Sequence, residues 1–232
     1  MKMNLEISES DLLLLVCRQL ESLFLSLKVG EKECLEAMIR QTLPRCEHCF
    51  LHTRVKRYVI DGVAQFNPYH SGKYAVFLYF LSNTLFNQAA PEMRSLADRL
   101  YFLNKALNGV ELYYEVALPS IFMLDHPVGS VIGRAEFQDY FSFSQNCTVG
   151  NNWDCYPRIG RRVAMLSGSK IIGDCQLGNN VILAANACVI DSNVPECSIV
   201  FGSSPNLTFK HRSEAFFESY FETAGGVKPN CD

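Results

Sequence analysis

The chain has 232 residues, of which 48% are hydrophobic and 19% are charged, and its formal net charge is −3. This length suits one or two domains with a buried core, and the composition excludes an intrinsically disordered chain. Basic residues are scattered and no run approaches the ~18 consecutive apolar residues of a membrane span. We therefore expect neither a nucleic-acid surface nor a membrane span.

The cysteines indicate a reducing compartment. The apolar run near the N-terminus is flanked by charged residues, so no signal peptide is predicted, and several of the ten cysteines fall in an apolar periodic pattern. We therefore expect a cytoplasmic protein with free, buried cysteines and no disulfide framework. Cys46 and Cys49 form a CxxC, but a second ligand pair at zinc-finger spacing is missing. No metal site is predicted, and the role of this pair stays open.

Residues 1–115 are predicted to form a helical domain. The first helix has apolar residues at helical spacing from Leu12 to Phe24, with Ser8 or Ser10 as its cap. The second should end at Leu43, because a proline interrupts a helix. The remaining helices are predicted over about 71–86 and 91–107, the last one ending before an Asn-Gly pair.

A six-residue repeat replaces the helical periodicity after about residue 116. Steps of six from residue 159 reach only aliphatic side chains or methionine: Ile159, Met165, Ile171, Leu177, Leu183 and Val189. Three such units make one triangular coil of parallel strands, in which the aliphatic residue points inward and small residues fit the corners. The expected fold is therefore α+β: a helical domain, a left-handed parallel β-helix over 116–209, and a C-terminal tail with a short helix over 210–232. A β-sandwich is the alternative, but it needs wider turn spacing.

Several short segments resemble those of serine O-acetyltransferases and their polysaccharide-modifying relatives, which are hexapeptide-repeat acyltransferases. The segment FMLDHPVG at 122–129 resembles LDHATG of this family, and QNCTVG at 145–150 resembles QSVTLGG. Asn67-Pro68, followed by FLYF at 77–80, is similar to a DPA segment followed by LLYF, and FGSSP at 201–205 to the closing GVPA. Together these segments extend the resemblance over more than half of the chain.

The resemblance implies that His126 is the general base and that Asp125 belongs to the same catalytic apparatus. A hydroxyl that attacks a thioester must lose its proton, and an imidazole with a pKa near ~6.5 is mostly neutral at pH ~7 and can take it. A carboxylate can orient the ring and stabilise the imidazolium. The alternative role for His126 is that of an ordinary histidine in a turn.

The same resemblance implies acetyl-CoA as co-substrate and a homotrimer as the assembly, with a dimer of trimers as the larger alternative. No metal is required by this chemistry. In this family the pantetheine arm lies in the groove between adjacent subunits, against backbone groups of successive coils. The matched positions are Thr148, Gly150, Ser167, Gly168, Ala184, Ala185, Ser204 and Pro205. Lys210 is expected to contact the CoA phosphates, and the alternative is that it belongs to a solvated basic tail.

The departures from the family pattern bear on the acceptor. The aspartate of DPA falls on Asn67, and the RHP segment of the family falls on Cys155-Tyr156-Pro157. Free serine would leave its ammonium and carboxylate unpaired without those charges, at a cost of several kcal/mol. The sequence therefore favours a small-molecule or glycan acceptor, namely a hydroxyl of a sugar or bacterial polysaccharide. The expected contacts are Asn67, His70, Trp153 and Tyr156.

Other interpretations stay open from sequence. His70 could cap the helix that starts beside it and not contact an acceptor. The alternative functions are serine O-acetylation for cysteine biosynthesis, N-acetylation of an amino sugar, and a non-catalytic assembly subunit that keeps the fold.

Overall fold

The computed structural model describes residues 3–53, 55 and 57–222, which divide into two compact units. The first unit contains residues 3–51 and 57–115, and the second contains residues 52, 53, 55 and 116–222. The division into 1–115, 116–209 and 210–232 stays a prediction. The last ten residues of the predicted tail, 223–232, lie outside the described residues.

The first unit is helical. Within its described residues lie helices α1 (Glu9–Leu23), α2 (Glu31–Leu51), α3 (Ser71–Gln88) and α4 (Arg94–Asn108), with a 3-10 turn at Pro91–Met93. Strands β1 (Asn4–Leu5), β2 (Val59–Ile60) and β3 (Val63–Phe66) form a small sheet in the order β1-β3-β2, and β4 is Glu111–Leu112. Every residue from Lys73 to Leu85 is buried, so α3 is the central helix of this unit. Among the described residues, no helix is long and apolar enough to cross a membrane.

Local capping determines the start of α1 and the end of α4, whereas burial determines the end of α2. The Ser8 hydroxyl accepts a hydrogen bond from the Asp11 amide at 3.1 Å, and α4 ends at Gly109, whose φ is 62°. The predicted end at Leu43 is wrong, because α2 continues through Pro44 for seven more residues. Proline removes one helical hydrogen bond, but Cys46, Cys49 and Phe50 beyond it are fully buried and keep the helix intact.

The second unit is a parallel β-helix with triangular coils. Face A contains β5 (Phe122–Leu124), β8 (Phe141–Phe143), β11 (Val163–Met165), β14 (Val181–Leu183) and β16 (Ser198–Ser203). Face B contains β6 (Val131–Ile132), β9 (Thr148–Gly150), β12 (Lys170–Ile172) and β15 (Cys188–Ile190), and face C contains β7 (Glu136–Phe137), β10 (Arg158–Ile159) and β13 (Gln176–Leu177). Strand β17 (Asn206–His211) returns antiparallel to β16, and helix α5 (Glu214–Glu222) follows.

The sequence repeat becomes the core of these coils. Met165 pairs with Leu183 on face A and Ile171 pairs with Val189 on face B. Each pair is 18 residues apart (183 − 165 and 189 − 171), which is three hexapeptides for one full coil. All six residues of the series from Ile159 to Val189 are buried. Stacking therefore makes one continuous apolar interior that a single coil could not enclose.

Helix α5 covers the outside of face A. Phe217 and Phe221 pack against Ala164 and Ile182, which point outward from β11 and β14. Arg162, whose side chain is 8% exposed, lies 3.7 Å from Glu214 and 3.7 Å from Glu218 on successive turns of α5. Apolar packing and this buried guanidinium therefore dock the helix on the coils. The predicted boundary between residues 209 and 210 falls inside β17.

Truncation of Phe217 to alanine should release α5 from face A. The loss of a buried phenyl ring costs roughly 3 kcal/mol, so α5 amides should exchange with deuterium about 100-fold faster. Hydrogen-exchange mass spectrometry measures this effect, and Phe216→Ala, at a partly exposed neighbour, is the matched control with a smaller expected change. Unchanged protection in the Phe217 variant would show that α5 is held by its charges alone.

Candidate functional site

The edge between faces A and B carries an insertion in the first coil. Leu124 pairs with Phe143 on face A, and Val131 pairs with Thr148 on face B. Six residues lie between Leu124 and Val131 (125–130), but only four lie between Phe143 and Thr148 (144–147). The same edge has four residues in the next two coils, 166–169 and 184–187. The first corner is therefore two residues longer than those that stack on it.

His126 lies in this longer corner. Its φ is 52°, a left-handed conformation that is uncommon for a residue with a side chain, and 89% of its side chain is exposed. Its Nε2 atom lies 3.8 Å from Oδ1 of Asp125. That separation is too long for a hydrogen bond but short enough for the carboxylate to stabilise an imidazolium. The insertion thus presents an accessible base with an acid group beside it.

Contacts with the second coil fix the conformation of the insertion. The Asp125 amide donates to the Phe143 carbonyl at 3.0 Å, and the Asn146 amide donates to the Val128 carbonyl at 3.0 Å. Gly129 has φ 78°, and a Cβ there would lie 2.3 Å from Oδ1 of Asn146. Both the backbone conformation and the close approach of Asn146 therefore favour glycine at this position. Asn146 and Gly129 therefore support the segment that holds His126, a role that was not predicted for either residue from sequence.

Four of the predicted pantetheine positions lie at the same edge as His126. Ser167 and Gly168 form the A–B corner of the third coil, and Ala184 and Ala185 that of the fourth. All four are at least partly exposed and have small side chains, so their backbone groups are accessible to a ligand. The remaining positions lie in other elements of the second unit: Thr148 and Gly150 in β9, Ser204 and Pro205 between β16 and β17, and Lys210 in β17.

Trp153 and Tyr156 lie at a different edge of the β-helix. They belong to the connection between β9 on face B and β10 on face C. Asn152 and Cys155 exchange backbone hydrogen bonds of 3.2 and 2.9 Å around Trp153 and Asp154, whose φ values are 49° and 59°. This tight turn leaves Trp153 91% exposed. Within one chain, the structure does not bring these aromatic residues to the edge that holds His126.

Asn67 and His70 belong to the first unit and stabilise the start of α3. The Asn67 carbonyl Oδ1 accepts a hydrogen bond from the Tyr69 amide at 2.7 Å, and His70 Nδ1 faces the Lys73 amide at 3.4 Å as the helix cap. Partial burial lowers the pKa of His70, and the positive charge of Lys73 lowers it further. The capping role of His70 is therefore observed, while contact of either residue with an acceptor stays a prediction.

The CxxC pair is part of the core of α2. Cys46 and Cys49 are fully buried, and burial raises the pKa of the Cys46 thiol well above its usual range. Among the described residues, no group of three or more His, Cys, Asp or Glu side chains could hold a metal ion. The two thiols pack as small apolar groups.

The lowered pKa of His70 predicts a pH-dependent stability. Between its folded and unfolded pKa values the unfolded chain binds more protons, so the free energy of unfolding should fall as the pH drops below about 6.5. Urea unfolding at pH 7.5 and 5.5 measures this change. In His70→Asn, which keeps a capping side chain without titrating, the drop should be smaller. An equal drop in both proteins would assign the effect to the other histidines.

Comparisons with known proteins place the chain among acyltransferases. No family model matches it. A serine acetyltransferase of Staphylococcus aureus is 26% identical over 169 residues, which cover 62% of this chain and 72% of the relative. A serine acetyltransferase solved in complex with cysteine has a TM-score of 0.68 at 21% identity and covers 92% of this chain and 83% of its own. The Brucella abortus enzyme in complex with coenzyme A has a TM-score of 0.65 at 19% identity, with 90% and 84% covered.

These similarities decide several predictions. The predicted fold, helices followed by a left-handed parallel β-helix, is confirmed. The prediction of an acyltransferase is confirmed as well. The names of these relatives favour an enzyme over a non-catalytic assembly subunit. The predicted sugar or polysaccharide acceptor is wrong, because the relatives and the solved structures are named serine acetyltransferases. That prediction rested on missing charges at two aligned segments, and other side chains can supply the same charges.

Proposed function

We propose that this protein transfers the acetyl group of acetyl-CoA to the hydroxyl of serine, with His126 as general base. The observation that carries the proposal is the two-residue insertion at the A–B edge, which exposes His126 beside Asp125. The small, partly exposed corner residues of the next coils lie along the same edge. An extended thioester ligand bound along that edge would end at the base.

The residues of this chain carry the proton transfer. Acetyl-CoA supplies the thioester whose carbonyl carbon the serine hydroxyl attacks. A ring nitrogen of His126 accepts the hydroxyl proton as the new ester bond forms, and the imidazolium then returns it to the departing thiolate. Asp125, 3.8 Å from the ring, stabilises the positive charge between these two moments. Metal ions take no part in this scheme.

The A–B edge can accept a pantetheine arm because its corner residues have small side chains. A Cβ built on Gly150 would meet no atom within 4 Å, and Ser167, Gly168, Ala184 and Ala185 present short side chains. We propose that their backbone groups bind the arm, with Thr148, Ser204 and Pro205 beside them. Lys210 in β17 is exposed and is proposed to pair with a phosphate of CoA.

The charges that serine needs are proposed to come from face C. Arg158 follows the Cys155-Tyr156-Pro157 segment directly, is exposed, and is paired only loosely with Asp174, at 3.5 Å. Its guanidinium can bind the carboxylate of an amino acid, and the carboxylate of Asp174 can receive the ammonium group. Asn67, His70, Trp153 and Tyr156 remain proposed neutral contacts to the same acceptor.

This assignment has a consequence for assembly. Face C is the one face of a triangular coil that does not meet the A–B edge. Arg158 can therefore serve only the His126 of a second copy, and such sharing requires an oligomer. We propose the homotrimer, with a dimer of trimers as the larger form. The cytoplasmic location stays a prediction.

Replacement of His126 by alanine should lower kcat about 100- to 10,000-fold, because a positioned general base contributes about that much. The measurement is thiol release from acetyl-CoA with L-serine as acceptor. Asp125→Asn, which keeps the shape of the side chain but not its charge, should lose less. Full activity in the alanine variant would refute the base. Turnover on a sugar panel with none on L-serine would refute the acceptor.

Replacement of Arg158 by alanine should raise the KM for serine about 10- to 100-fold, the equivalent of one lost charge-assisted hydrogen bond. The KM for acetyl-CoA should change little, because the groups proposed to bind that ligand do not include Arg158. Arg158→Lys retains the positive charge and should recover part of the affinity. Steady-state kinetics with each substrate varied in turn separates these effects, and an unchanged serine KM would exclude Arg158 from the acceptor site.

A further inference from the structure

We propose that Ser130 is a positioning residue that holds the His126 insertion on the second coil; this inference rests on the proposed function. Ser130 ends the insertion and is 1% exposed. Its hydroxyl donates a hydrogen bond to the Ser144 carbonyl at 2.6 Å and accepts one from the Cys147 amide at 3.0 Å. One side chain of the first coil thus satisfies two backbone groups at the corner of the next.

The corners of later coils show what this hydroxyl replaces. In the third coil the Ser169 amide donates to the Leu166 carbonyl, and in the fourth the Ala187 amide donates to the Ala184 carbonyl, both at 3.0 Å. Each of these bonds closes a turn within its own coil. In the second coil the equivalent amide, that of Cys147, donates instead to the Ser130 hydroxyl, which is hydrogen-bonded to the equivalent carbonyl, that of Ser144. The Ser130 hydroxyl therefore bridges the amide and the carbonyl that would otherwise close the turn of the second coil.

This arrangement occurs at the corner that carries the extra residues. The insertion is fixed at its start by the Asp125 amide, in its middle by the Val128 carbonyl, and at its end by the Ser130 hydroxyl. Without the hydroxyl, the Cys147 amide can close onto the Ser144 carbonyl as in later coils. The end of the insertion then loses its side-chain tether and keeps only the backbone hydrogen bond from the Val131 amide to the Cys147 carbonyl, at 2.9 Å. His126 is four residues away and should then sample displaced positions.

A displaced base lowers the rate more than it lowers binding. A misplacement of about 1 Å can cost roughly 100-fold in rate, so we expect kcat of Ser130→Ala to fall 10- to 100-fold while the KM for acetyl-CoA stays within about twofold. Alanine occupies the equivalent corner position at Ala187, so its size is compatible with the fold. Ser130→Cys, with the side chain found at the equivalent Cys147, should be intermediate because a thiol is a weak donor.

The matched control is Ser169→Ala, which removes a buried hydroxyl from the equivalent corner position two coils away. Thermal unfolding of the two alanine variants should be similar, but only Ser130→Ala should lose kcat. Equal losses of kcat in both, or a kcat of Ser130→Ala within twofold of the unmodified protein, would overturn the positioning role.

A second readout does not depend on the acceptor. The ring resonances of His126 in an NMR spectrum should shift or broaden in Ser130→Ala and stay unchanged in Ser169→Ala. If the unmodified protein shows no turnover on L-serine, the proposed function fails, and these resonances still test the tether. If turnover is present and the resonances of both variants match those of the unmodified protein, the tether alone is refuted.

Discussion

The second unit depends on the register that stacks each coil on the next. A single triangular coil has too little volume to enclose an apolar interior, so each inward side chain depends for its burial on its equivalents in the coils before and after it. Met165 under Leu183 and Ile171 under Val189 are two examples of this dependence. Any residue that broke the register would expose part of the interior above and below it.

This constraint places the chemistry on the outside of the coils. The interior is filled by apolar side chains, and face A is covered by α5 through Phe217 and Phe221. The edges remain, and there the backbone turns through left-handed conformations, as at His126, Asn146 and Gly168. Left-handed residues cost free energy unless the surroundings hold them. Hydrogen bonds between neighbouring coils supply that support at the edge where the proposed base lies.

Most of the architecture could be predicted because it follows from local periodicity. The six-residue repeat from Ile159 to Val189 specifies coil geometry by itself, and α3 begins at Ser71 as its sequence predicts. The end of α2 could not be predicted in this way. Pro44 is a local signal to stop, whereas the burial of Cys46 and Phe50 that overrides it is a property of the folded unit.

The site was only partly predictable for a related reason. His126 stands in a recognisable motif, but its support by Asn146 depends on which coil stacks on which. The insertion itself is found by counting residues between paired strands, which is possible only when the pairing is known. The acceptor was wrongly predicted because an empty position in a motif says nothing about side chains elsewhere. Arg158, for example, lies one position beyond the aligned Cys155-Tyr156-Pro157 segment, so a comparison limited to that segment does not include it.

The longer first corner shows how such a protein can change its activity without losing its fold. Two added residues leave the pairing of β5 with β8 and of β6 with β9 intact, because a turn can grow outward into solvent. A single added residue within a strand would instead rotate every following side chain to the opposite surface. Insertions and deletions at the edges can therefore diversify such proteins without loss of the fold. Within the strands, residues can be replaced, but the number of residues in a strand cannot change.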